Sequence, residues 1–73
     1  MDKGYILSNK YRRVVFDELS SGEGNPRQIA KKNHLIQNVV ERTITDFLNG
    51  DIILEKHGRY MLTEKGKRLK QLM

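Results

Sequence analysis

Seventy-three residues leave room for one domain with a small core, and 14 Lys plus Arg against 9 Asp plus Glu give a net charge of +5, a balance that favours polyanionic partners through long-range attraction. The absence of cysteine excludes disulfide stapling, thiol redox chemistry and thiolate metal sites. No apolar run approaches the ~18 residues of a membrane span, and MDKGYILSNK is too poor in apolar residues for a signal peptide; one ordered cytoplasmic domain over residues 1–73 is expected.

Residues 1–7 are expected to be flexible or only partly packed. Ser8 can cap a first helix over 9–20, in which Tyr11, Val15, Phe16 and Leu19 recur at helical spacing and after which Gly22 supplies the stop. Asn25 and Pro26 then mark a second start. Asn accepts an amide bond as N-cap, Pro is pre-set for the first helical position, and Gln28 stands where a capping box needs it. This second helix is short, about 26–33.

Asn33 and His34 interrupt the pattern, and Asn33 tolerates the left-handed conformation of a sharp turn. A third helix over 35–49 carries Val39, Val40, Ile44, Phe47 and Leu48 on one side and Gln37, Asn38, Glu41, Arg42 and Thr45 on the other, until Asn49 and Gly50 end it. The spacing then becomes that of strands. A two-residue turn at His57 and Gly58 pairs Lys56 with Arg59, Glu55 with Tyr60, Leu54 with Met61 and Ile53 with Leu62. Ile53, Tyr60 and Leu62 then face the helices while Lys56 and Arg59 stand at the tip, and His57 takes the positive φ of a type I′ turn. Thr63 caps a closing helix over 64–72, anchored by Leu69 and Leu72.

This order resembles the winged helix-turn-helix domain of archaeal and bacterial transcriptional regulators. The likeness is carried by YRRVVFDELSSG, PRQIAKKNHL, VVERTITDFLNGDII and, most specifically, GRYMLTEKG. It implies a mainly helical α+β fold of three helices, a two-stranded β-hairpin wing and a short C-terminal helix. It also implies DNA binding, with the helix after the turn in the major groove and the wing over the adjacent minor groove or backbone. On this chain that puts Gln37, Asn38, Glu41, Arg42 and Thr45 on the reading face and Lys56, His57 and Arg59 in the wing 55–60. The pattern departs at His34, where a small turn residue is usual, at Ile36, where a Ser or Thr cap is usual, and at Glu41, which adds negative charge.

The chemistry of the residues agrees with that role: Asn and Gln bond adenine edges, Arg bonds guanine, and Glu accepts from the cytosine amino group. Arg27 and Lys31 of the second helix are candidate phosphate contacts that position without reading sequence. Double-stranded DNA is therefore the expected partner, in a nucleoid-associated transcriptional regulator. A homodimer would extend the small footprint of one module. The alternative is a winged-helix module that docks on another protein, favoured by Glu41 and by Ile36 and Val39 if exposed. No catalytic constellation, metal-ligand spacing or cofactor motif is present, so no enzyme activity, metal or cofactor is expected.

Overall fold

The computed structural model describes residues 1–73 as a mostly helical α+β fold with one antiparallel hairpin. The elements are α1 (Lys3–Leu7), α2 (Lys10–Ser20), α3 (Pro26–Lys32), α4 (Gln37–Asn49), β1 (Ile53–Lys56), β2 (Arg59–Leu62) and α5 (Glu64–Gln71). Five helices replace the three-plus-one of the sequence reading. The additional one, α1, forms where a flexible or partly packed segment is expected. Asp2 caps it by accepting from the Tyr5 amide at 3.0 Å, and Ile6 is fully buried in the core. Arg12 fastens it to α2, donating to the Tyr5 carbonyl at 3.0 Å with its guanidinium 3.7 Å from the Tyr5 ring centre. A five-residue helix has no stability alone, so these tertiary contacts decide it.

The cap of α2 also shifts by one residue. Asn9, in extended conformation, accepts from the Tyr11 and Arg12 amides, whereas Ser8 closes α1 by donating to the Tyr5 carbonyl. Asn25 caps α3 as expected, but its own amide donates to Glu23 rather than Gln28, so the capping box does not form.

Three helices end in the same way. After α2, α3 and α4 the amides of Glu23, Leu35 and Ile52 reach back to the carbonyls of Glu18, Ala30 and Phe47, the six-to-one bond of a Schellman motif. The left-handed residue in each is Gly22, His34 and Asp51. The sequence reading gives that conformation to Asn33, which instead keeps negative φ; α4 does end at Asn49 and Gly50, with Gly50 at negative φ and Asp51 taking the left-handed step. The turn consequently includes Leu35 and Ile36, and α4 begins at Gln37 rather than 35.

The hairpin register is Ile53–Leu62, Leu54–Met61, Glu55–Tyr60 and Lys56–Arg59, as the sequence predicts. His57 and Gly58 both have positive φ, 54° and 78°, which a type I′ turn requires. Ile53 is buried with Tyr60 and Leu62 packed on the core, while Leu54 and Met61 face outward. At the root of the hairpin the Thr63 amide donates to the Ile52 carbonyl at 3.0 Å, and beside β2 the Tyr60 amide donates to the Gly24 carbonyl at 2.9 Å.

Twelve apolar residues from six of the elements and the α4–β1 turn make the core, centred on an edge-to-face pair, Phe16 and Phe47, with ring centres 6.1 Å apart. Such a pair adds about 0.5–1.5 kcal/mol beyond the area it buries. Thr43, the buried polar residue, donates to the Val39 carbonyl, and no buried side-chain nitrogen or oxygen lacks a partner. Gly66 and Leu69 seat α5, whereas Leu72 is 65% exposed and does not anchor it. Leu72 follows the last turn of the helix, past the reach of the core.

One carboxylate joins α2 to α3. Glu18, with 12% of its side chain exposed, accepts from Asn33 Nδ2 at 2.8 Å and Lys32 Nζ at 3.2 Å. The Asn33 hydrogen bond holds its pKa below the ordinary 4.5; burial opposes the shift, and the Lys32 bond and charge reinforce it. A depressed folded-state pKa means that this stabilisation is complete above about pH 4.5 and is lost as pH falls through the lower folded value. Glu18→Gln is expected to lower the urea midpoint near neutrality and to lower it less on acidification below that value. A difference independent of pH would show that the carboxylate charge contributes nothing.

Candidate nucleic-acid interface

Val40, Thr43, Ile44 and Phe47 turn one side of α4 into the core, which leaves Gln37, Asn38, Glu41, Arg42 and Thr45 exposed on the other. These five are not equivalent. Gln37 Nε2 donates to Glu41 Oε1 at 3.1 Å and so holds that carboxylate from one turn away, while Thr45 Oγ1 donates to the Glu41 carbonyl at 3.1 Å. Arg42 and Asn38, also a turn apart, form no side-chain hydrogen bond or ion pair. They remain free for an external partner.

The beginning of this helix is open. Ile36 occupies the N-cap position, offers no side-chain acceptor, and is 63% exposed. A Ser or Thr there would satisfy one of the amides that every helix start leaves unpaired. Around the same end, Asn25, Pro26, Arg27, Gln37 and Glu41 surround a polar concavity of about 270 Å³, so the tight turn brings Arg27 beside the first turn of α4. Lys31 is exposed one helical turn further along α3, and Lys32 points instead to Glu18.

Lys56, His57 and Arg59 are all exposed around the hairpin tip. Arg59 Nη2 lies 3.8 Å from Glu23 Oε1, and the same carboxylate oxygen accepts from the Asn25 amide, so Glu23 links the hairpin to the start of α3. The tip residues line a concavity of their own with Leu19 and Met61. The structure thus gathers Arg27 with Gln37 and Glu41 and sets Lys56, His57 and Arg59 apart from them.

No family model, curated protein or solved structure matches this chain. No helix is long and apolar enough to cross a membrane.

Sequence reasoning missed Glu23 and Gly24. A Cβ on Gly24 would lie 2.6 Å from the Tyr60 carbonyl oxygen and 3.2 Å from Arg59 Cβ, so the α2–α3 loop runs against β2 more closely than any larger residue permits. The sequence signal was available: a second glycine in SSGEGN beyond the one needed to stop α2.

Proposed function

We propose that this protein is a winged-helix DNA-binding domain that acts in transcriptional regulation, with α4 in the major groove and the β1–β2 hairpin as a wing on the adjacent minor groove or backbone. The observation that carries this reading is the tight turn after α3, which sets α4 down with Gln37, Asn38, Glu41, Arg42 and Thr45 facing solvent. The bond from Tyr60 to Gly24 adds support, because it ties the α2–α3 loop to the flank of the hairpin.

The residues divide by chemistry. Arg42 is suited to the O6 and N7 of guanine and Asn38 to the N6 and N7 of adenine; Glu41, steadied by Gln37, is suited to the cytosine amino group. Ile36, at the end of the helix that enters the groove first, offers an apolar contact for a thymine methyl. Arg27 and Lys31 hold phosphates on one flank, and Lys56 and Arg59 hold them on the other. Arg59 must leave Glu23 to do so, at a cost of no more than about 1 kcal/mol for an exposed pair at that separation. Docking of another protein on α4 finds little support, since the exposed Ile36 and Leu48 stand at opposite ends of the helix and Val39 is half-buried, far short of an apolar interface core.

An NMR titration of isotope-labelled protein with a short duplex at two salt concentrations tests the proposal. Shifts are expected on Gln37–Thr45 and Lys56–Arg59, weaker at the higher salt; no shift at low salt, where even non-specific phosphate binding registers, would overturn it. Lys56→Ala and Arg59→Ala are each expected to weaken binding to every sequence alike and to reduce the slope of log K against log salt by about one. Unchanged slopes would remove the hairpin from the interface.

A further inference from the structure

A second surface lies along β2, on residues that the DNA reading does not use for base contacts. Two concavities of about 260 and 340 Å³ share Leu19, Gly22 and Met61, and so form one groove between the end of α2, β2 and α5. Its floor is apolar, formed by Met61, 48% exposed, with the half-buried Tyr60 and Leu62, above the core residue Leu19. Its walls carry Lys56 and Arg59 at one end and Lys67 and Lys70 at the other, and no Asp or Glu lines it. The nearest carboxylates are rim partners, Glu23 at 3.8 Å from Arg59 and Glu64 at 3.5 Å from Lys67, both in exposed pairs that dissociate easily. Lys56 and Lys70 have no such partner.

The edge of the sheet borders this groove. Tyr60 turns its amide outward to Gly24, and strand alternation turns the peptide groups of Leu62 to the same side. Gly24 meets that edge at Tyr60, while Leu62 lines the groove. Extended chain is the backbone shape that fits beside such an edge.

We propose that this groove docks an extended acidic segment of a partner protein, its carboxylates on Lys56, Arg59, Lys67 and Lys70 and its aliphatic side chains on Met61 and the accessible part of Leu62. Charge complementarity fixes the sign of the occupant, and the apolar floor distinguishes a peptide from a nucleic-acid strand. A phosphodiester chain would meet the lysines but would leave Met61 without apolar cover. The site stands apart from α4 but shares Lys56 and Arg59 with the hairpin tip, so an acidic peptide and a DNA backbone would compete for those two cations.

The test is an NMR titration of the whole chain with a synthetic peptide of about twelve alternating Asp and Leu residues, and with a second peptide in which Ser replaces every Leu at equal charge. Shifts are expected at Leu19, Met61, Lys67 and Lys70, and the Ser peptide is expected to bind about tenfold more weakly or worse, because each lost aliphatic contact is worth roughly that factor. Met61→Asp should impose a similar loss on the Leu peptide. Lys70→Glu, on an exposed and unpaired side chain of α5, tests the groove's charge should Met61→Asp disturb the native spectrum, and is expected to weaken the Leu peptide as well. Equal affinity for the two peptides would reduce the groove to general charge attraction and overturn the proposal. So would peptide shifts confined to α4, or a short duplex that shifts Leu19, Met61, Lys67 and Lys70, the groove residues away from the hairpin tip, as strongly as the Leu peptide does.

Discussion

Gly66→Ala is expected to destabilise this protein by about 2–4 kcal/mol, although alanine is the better helix former and Gly66 lies inside α5. Helix propensity alone predicts a gain of nearly 1 kcal/mol. Against it, a Cβ at this position would collide with the Ile52 carbonyl oxygen and press on Leu62 Cβ. The oxygen belongs to the backbone and already accepts the Thr63 amide at 3.0 Å, so it cannot swing aside without opening the bond that closes the root of the hairpin. Either α5 lifts away, exposing Leu69, or the start of β1 moves. For a domain of this size the loss corresponds to a fall in Tm of roughly 10 °C or more. Thermal unfolding of Gly66→Ala beside Lys67→Ala, an exposed change in the same helix, gives the answer. A Tm equal to or above that of the parent would mean that α5 does not pack this closely.

Arg42→Ala is expected to cost about 1–3 kcal/mol of binding free energy on a preferred DNA sequence and much less on random DNA, with the fold unchanged. The difference follows from its position on α4: exposed, unpaired, and one turn from Asn38 on the polar face. A bidentate contact to guanine is lost only where guanine stands opposite, whereas a phosphate contact is lost on every sequence. Lys31→Ala is the natural comparison, since its effect should be the same on both DNAs. Equal losses for Arg42→Ala on the two DNAs would move it to the phosphate-binding set, and no loss on either would take it out of the interface.

The sequence carried the hairpin in full because one dipeptide dictates it. His57-Gly58 accepts two consecutive positive φ angles, the two-residue loop sets the pairing, and the alternation of Ile53 and Leu62 with Leu54 and Met61 chooses the buried face. The exposure of Gln37, Asn38, Glu41, Arg42 and Thr45 on α4 was legible by the same logic, from helical spacing alone. The helix ends were less so. Whether Asn33 or His34, Gly50 or Asp51 takes the left-handed position depends on where the last intrahelical bond falls, which at Asp51 overrides the greater tolerance of the neighbouring glycine for positive φ. Helix α1 was illegible locally, because Ile6 and the Arg12 clasp stabilise it from outside. In the candidate site, residue types point to chemistry but not to pairing: Gln37 beside Glu41 and Arg59 beside Glu23 are matters of side-chain direction in the folded chain.

The bond between Tyr60 and Gly24 and the closure of Thr63 on Ile52 hold the hairpin at its flank and its root, while nothing outside the ribbon holds Lys56 to Gly58 except the turn itself. The hairpin is therefore a cantilever. Local opening should cost progressively less toward the free end, with amide protons exchanging slowly at Tyr60 and Thr63 and quickly around His57 and Gly58. A polyanion that meets the tip meets a compliant surface, able to follow grooves of different width, and each such encounter carries an entropic cost of ordering the tip that stiff α4 does not incur.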